Sequence, residues 1–230
     1  MCVPGCCFVA QLLLVLVLFD EGSSQISKRQ AEEPAMKLPA PRYESGISVE
    51  RALHERRSVR EYTKEPLTLD QVSQLLWSAQ GITHPDGLRT SPSAGALYPL
   101  EAYLVAGNVR GLSPGLYHYR PATHDLERWS ENDLREGLFR AASQQEAVRD
   151  AGAVLVLTVI HERITGKYGE RGERYADFEI GHAAQNVLLQ AVALGLGAVP
   201  VGAFNDASVQ KLLGLPEAEF PRYLIPVGNR

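Results

Sequence analysis

Three guanidinium groups and a hydroxyl crowd into five residues at Arg56, Arg57, Ser58 and Arg60. Guanidinium forks grip phosphate oxygens through paired hydrogen bonds, which makes the cluster a candidate phosphate cradle. A solvated helix end can carry the same pattern, and spacing alone leaves both readings open. Residues 90–96 read TSPSAGA, a run of small side chains that would let backbone N–H groups approach a flat ligand, or simply make a turn. They do not form the nucleophile elbow of hydrolases, because Ser91 stands where that motif needs its first glycine. Lys167 precedes Tyr168 in a charged, glycine-containing stretch, residues 167–174, that reads as an exposed loop. A lysine beside a phenol can serve as acid or base if burial or neighbouring cations lower its pKa.

Residues 195–202, GLGAVPVG, contain glycines spaced like a dinucleotide loop. That motif leaves a strand and opens a helix, whereas this one leaves a helix and opens a strand, so it is not a nicotinamide fingerprint. Gly195 reads instead as a helix-ending glycine, and residues 200–203 as backbone able to lie beside a ligand. Cysteines occur only at Cys2, Cys6 and Cys7, which leaves the rest of the chain without a disulfide, a zinc-thiolate site or a thiol nucleophile. His161 and His182 lack a patterned carboxylate nearby, and no metal site is expected. Twenty-three basic residues face 27 acidic ones, a net charge of −4, which excludes the basic footprint of a nucleic-acid binder.

The elements that must position these residues are readable from apolar spacing in a 230-residue chain that is 45% apolar and 22% charged. Residues 8–19 are an apolar run followed by polar residues, too short for the roughly 20 residues of a membrane span, so residues 1–24 are expected to be a signal peptide directing export to the periplasm or beyond. No Lys or Arg precedes the run; a short anchor, or a misassigned start and a cytoplasmic protein, stays open. Residues 25–46 read as a flexible lead-in with no packed structure, and residues 47–230 as one domain. Ser48 caps a short helix bearing Val49, Ala52 and Leu53. Thr68 and Gln71 form a capping box for a helix whose face is Leu69, Val72, Leu75, Leu76 and Ala79. A strand over 102–106, a hairpin of 116–119 and 125–129, and a helix carrying Leu134, Leu138 and Ala141 follow. Residues 154–160 are apolar on both faces and predict a central, covered strand. Residues 178–196 predict a helix with an apolar surface too wide for one neighbour. Strands over 198–203 and 223–227 flank a short helix at 208–213, which completes an α+β arrangement of one sheet with several helices.

Residues 48–230 resemble the nitroreductase superfamily of flavoproteins, most closely its SagB-type branch, which includes the azoline dehydrogenases of thiazole and oxazole formation. The resemblance is carried in order by RRSVR (56–60), SPSAGALYP (91–99), KYGER (167–171), GHAAQN (181–186), LGLGAVPVGAF (194–204) and PVG (226–228). It implies a nitroreductase-like fold, a central and mostly antiparallel sheet flanked by helices, and a homodimer with two FMN sites at its interface. By that resemblance Arg56, Arg57, Ser58 and Arg60 hold the FMN phosphate and ribityl end and reach the pyrimidine edge. Pro92, Ser93, Ala94, Gly95 and Ala96 touch FMN from the partner subunit, and Val199, Pro200, Val201, Gly202 and Ala203 lie along the isoalloxazine ring. Lys167 and Tyr168 become candidates for proton removal from a substrate. Many members carry an asparagine where this sequence has Ala96 and a glutamate where it has Gly202. Arg230 is the basic residue left to do the work of the family's long C-terminal arm, so weaker FMN retention is expected. The implied activity is an FMN-dependent oxidoreductase that exchanges hydride with a small organic substrate, with NAD(P)H as electron donor. Two alternatives are a peptide-modifying azoline dehydrogenase and a flavin-binding protein without turnover.

Overall fold

The computed structural model describes Met1 and residues 35–230; the expected signal peptide beyond Met1 and the first part of the lead-in lie outside the described residues. In chain order the elements are β1 (Met36–Lys37), α1 (Val49–Glu55), β2 (Leu67–Thr68), α2 (Leu69–Gln80), a 3-10 turn at Ala94–Ala96, β3 (Leu100–Ala106), β4 (Val109–Arg110) and β5 (Gly115–Arg120). There follow β6 (Asp125–Ser130), α3 (Arg135–Ala141), α4 (Glu146–Asp150), β7 (Ala153–Ile160), α5 (Glu162–Tyr168), α6 (Arg171–Ala193), β8 (Leu196–Ala198), α7 (Asp206–Leu213) and β9 (Glu219–Asn229). Seven strands form one sheet in the order β1-β6-β5-β3-β7-β9-β8, and each neighbouring pair is antiparallel. The expected α+β fold with a mostly antiparallel sheet is therefore observed.

Period-two alternation divides the strands between two cores. Leu104, Leu155 and Leu157 join Leu75 and Leu76 of α2 and Val187 of α6 on one face. Tyr103, Val154 and Val156 join Leu138, Val148 and Val209 of α3, α4 and α7 on the other. This two-sided cover explains why β7 has no polar face. Each fully buried leucine contributes about 1.5–3 kcal/mol. The Thr68 hydroxyl accepts the Gln71 N–H at 3.2 Å while the Gln71 side chain accepts the Thr68 N–H at 2.8 Å, and the predicted capping box opens α2.

Three expectations need correction. The lead-in is packed in its described part: Met36 and Lys37 pair with Leu126 and Asp125 of β6, Leu38 is buried, and the Gln74 side chain bonds the backbone of Arg42 at both its N–H and its carbonyl. A two-residue edge strand is too short to leave a periodic signal, and its anchors come from distant side chains. The supposed loop at 167–174 is instead the end of α5 and the start of α6. Charged residues on outward helix faces mimic a loop in composition, and α6 consequently begins seven residues before the apolar pattern does. Finally, the strand expected over 198–203 stops at Ala198, with only an isolated bridge from Val201 to Leu224 beyond it. Pro200 lacks the N–H that would continue the ladder.

Glu101 on β3 ties the sheet to α5. Its carboxylate meets His118 Nε2 at 2.8 Å and Arg163 Nη1 at 2.5 Å, with the side chain 15% exposed. Burial alone would raise its pKa; His118 and Arg163 outweigh that and hold it below the ordinary carboxylate range. A carboxyl depressed in this way stabilises the fold above its unfolded pKa and loses that contribution as pH falls through its folded value. Glu101→Gln should cost about 1–3 kcal/mol in urea unfolding at neutral pH, with the gap to wild type closing on acidification. Equal stability of the two proteins at neutral pH would contradict this.

Candidate active site

The arginine block begins where α1 ends. Ser48 caps the helix by accepting the Arg51 N–H, and Arg56 is its C-cap. The chain then turns extended, so that Ser58 bridges Ala198 in parallel and the Val59 N–H donates to the Ala198 carbonyl at 3.0 Å. Close approach is possible because two glycines face this segment. A Cβ on Gly197 would lie 2.6 Å from Val59 Cγ1, and one on Gly228 would lie 2.7 Å from Tyr62 Cγ. The Tyr62 hydroxyl sits 3.0 Å from the Val59 carbonyl and 3.1 Å from that of Pro226, and burial pushes its pKa up. The block is thus locked to the β8–β9 edge.

Residues 199–203 leave that same edge. The Val199 N–H donates to the Pro226 carbonyl, and Val201 and Leu224 exchange both backbone hydrogen bonds. Gly202 and Ala203 are exposed beyond them. Arg230 follows Asn229, whose carbonyl accepts the Thr63 N–H at 2.8 Å. The structure therefore brings the 56–60 segment and the start of 199–203 to the same sheet edge, whereas Arg230 lies at the far end of β9, past the Leu196–Asn229 pair. Arg57 donates to the carbonyls of His54 and Arg56. Arg51 pairs with Glu55, whereas among the described residues no carboxylate lies within 4 Å of the Arg56 or Arg60 guanidinium.

A second group forms around the small-residue segment 92–96. Gly95 has φ 65°, Ala96 φ 54° and Tyr98 φ 46°, a left-handed conformation that costs energy for residues with a Cβ. A Cβ on Gly95 would stand 2.8 Å from both Lys167 Nζ and Tyr168 Oη, so the predicted Lys–Tyr pair does face the predicted loop. Lys167 is exposed and Tyr168 half-buried. Tyr98 is held from several sides: its ring lies under the Arg89 guanidinium at 4.4 Å, its hydroxyl accepts the Arg89 N–H, and its carbonyl accepts from Arg163. Asn186 of α6 donates to the Thr90 carbonyl and to Ser91 Oγ.

One residue of this group was missed by sequence reasoning. Glu179 of α6 is 5% exposed, and its carboxylate accepts the Ala94 N–H at 2.8 Å. The signal was present, since Ala176, Glu179, Ile180 and Ala183 share the inward helical spacing and place a carboxylate on an apolar face. Among the described residues no hydrogen bond, ion pair or ring contact joins the two groups within a protomer. A cavity of about 280 Å³ opens between residues 42–52, α2 and α6, with Tyr43, Trp77 and Gln190 in its wall and Thr90 and Asn186 of the second group also lining it. None of the expected site residues lines it.

Residues 53–229 match the profile of the Nitroreductase family. The chain belongs to that family. A nitroreductase-like protein of Methanocaldococcus jannaschii is 43% identical over 195 residues, which cover 85% of this chain and 97% of that protein. The crystal structure of a nitroreductase-like protein of Ralstonia eutropha JMP134 superposes with a TM-score of 0.76 at 31% identity, over 86% of this chain and 90% of that one. The microcin B17-processing protein McbC of Escherichia coli is 31% identical over 161 residues, 67% of this chain and 59% of that protein. Nitroreductase membership and the α+β fold are thereby shown for the chain, while its similarity extends both to generic members and to a peptide-processing one.

Proposed function

We propose that this nitroreductase-family chain is an FMN-dependent oxidoreductase that acts as a homodimer and exchanges hydride with a small organic substrate, with NAD(P)H as electron donor. The observation that carries the reading is the segment of Arg56, Ser58 and Arg60, joined to Ala198 at Ser58 and Val59, in which neither the Arg56 nor the Arg60 guanidinium has a carboxylate partner among the described residues. This donor set fits a phosphate-bearing cofactor. Arg56, Arg57 and Ser58 would hold the phosphate and ribityl end, Arg60 would place positive charge at the pyrimidine edge, and Val199, Pro200, Val201, Gly202 and Ala203 would line the ring. When bound, FMN supplies the hydride chemistry, and the chain supplies binding, orientation and charge.

The separation of the two groups supports the homodimer. Pro92, Ser93, Ala94, Gly95 and Ala96, with Lys167 and Tyr168, would complete the site only when contributed by a second copy. The apolar side chains of Tyr43, Val49 and Leu53, each more than half exposed, give such a copy a surface to cover. In this reading Lys167 Nζ and Tyr168 Oη handle the proton at the substrate. Residues 1–24 are proposed to direct export.

The similarity to the microcin B17-processing protein, together with the Lys167–Tyr168 pair against Gly95, favours a second reading as a SagB-type azoline dehydrogenase acting on a heterocyclised peptide. One experiment separates the readings. Anaerobic addition of NAD(P)H to the purified full-length protein should bleach its visible flavin band within the first reading and leave it coloured within the second. A preparation that binds flavin but is reduced by neither NAD(P)H nor an azoline peptide would point to a binding protein without turnover. Sequencing the amino terminus after expression in a secreting host should find it near Gln25; an intact Met1 start would contradict export.

A further inference from the structure

The deepest ionisable group beside the 92–96 segment is one that the reaction outlined above does not use. Glu179 is buried among Ala176, Ile180 and Ala183 on the inward side of α6. A buried carboxylate is costly unless its lone pairs are satisfied. Glu179 finds a donor in the small-residue loop: it accepts the Ala94 N–H at 2.8 Å, and burial still pushes its pKa up. The Ser93 hydroxyl oxygen accepts the Tyr98 N–H at 2.9 Å, and the Ala96 N–H closes back on the Ser93 carbonyl at 3.1 Å. The bond of Glu179 to Ala94 and the two bonds of the adjacent Ser93 to Ala96 and Tyr98 therefore bracket Gly95, Ala96 and Tyr98, the three left-handed residues. Backbone of this kind persists only where its surroundings over-determine it, and Glu179 is the anchor that reaches it from α6, the same helix whose first turns pack on α5 and the Lys167–Tyr168 pair.

We infer that Glu179 is a positioning residue: its carboxylate, acting as a hydrogen-bond acceptor, holds the 93–98 segment with its left-handed Gly95, Ala96 and Tyr98, and so sets the place of the Gly95 backbone against Lys167 Nζ and Tyr168 Oη. The inference rests on the proposed flavin site for its functional consequence and on the loop alone for its structural content. No proton or electron passes through Glu179, which touches neither substrate nor cofactor; it acts through the loop.

Two arms test this. In flavin-free protein, amide hydrogen exchange at residues 94–98 should accelerate at least about tenfold in Glu179→Ala and in Ser93→Ala, and remain near wild type in Glu179→Gln, which keeps an acceptor oxygen for Ala94. In flavin-loaded protein, Glu179→Ala and Ser93→Ala should shift the visible flavin band and lower kcat about 10- to 100-fold, while Glu179→Gln restores both. Ser93→Ala leaves no buried charge behind and keeps the test open if Glu179→Ala fails to fold. Unchanged exchange in Ser93→Ala, a Glu179→Gln as impaired as the alanine variant, or faster exchange with an unshifted flavin band and wild-type kcat would each overturn the inference. A wild-type protein that takes up no flavin would contradict the function proposed above and leave the exchange arm to decide this one.

Discussion

Replacing Arg56 by alanine should weaken FMN retention by about tenfold to a hundredfold, the effect of losing a hydrogen-bonded charge that faces a phosphate. Arg60→Ala should fall in the same range. Neither guanidinium has a carboxylate partner among the described residues, so truncation leaves no protein anion stranded, and the fold should keep its urea midpoint. Lys167→Ala is the control. Lys167 packs beside Gly95 and Tyr168, in the group that does not touch the arginine block, so its loss should slow turnover while FMN stays bound. Equilibrium dialysis followed by fluorescence of released FMN reads the difference. Equal flavin occupancy in wild type and Arg56→Ala would contradict the phosphate assignment.

The second large effect concerns how the block is held. A Cβ on Gly228 would lie 2.7–2.9 Å from Tyr62 Cγ, Cβ and Cδ1, and an aromatic ring locked at both its stem and its hydroxyl cannot yield as a flexible side-chain tip would. Gly228→Ala should therefore destabilise by about 1–3 kcal/mol through overpacking. It should also weaken FMN binding, because the Tyr62 ring fixes the extended segment that carries Ser58 and Arg60. The same substitution in a Tyr62→Ala background should cost markedly less, since residues in contact are not additive. An additive double mutant in urea unfolding would show that the ring is not what Gly228 accommodates.

What the sequence made legible follows the range of the interactions involved. The capping box at Thr68 and Gln71, the unbroken apolar run of β7 and the helix-ending Gly195 are local, and all appear where the sequence places them. The order of the strands and the meeting of Ser58 with Ala198 depend on contacts 140 positions apart in the chain numbering, which no window of sequence contains. Only resemblance to a family joined those segments beforehand. Charged stretches misled in the other direction: 167–174 has the composition of a loop and the structure of two helix ends. Glu179 belongs to none of the polar motifs, although a carboxylate on the apolar face of α6 is the more unusual feature.

The measurement that bears most directly on the account is light scattering coupled to size exclusion, with visible absorbance recorded across the eluting peak of the full-length protein after incubation with FMN. The account predicts a yellow dimer holding one FMN per chain. A colourless monomer that stays colourless after incubation would contradict it.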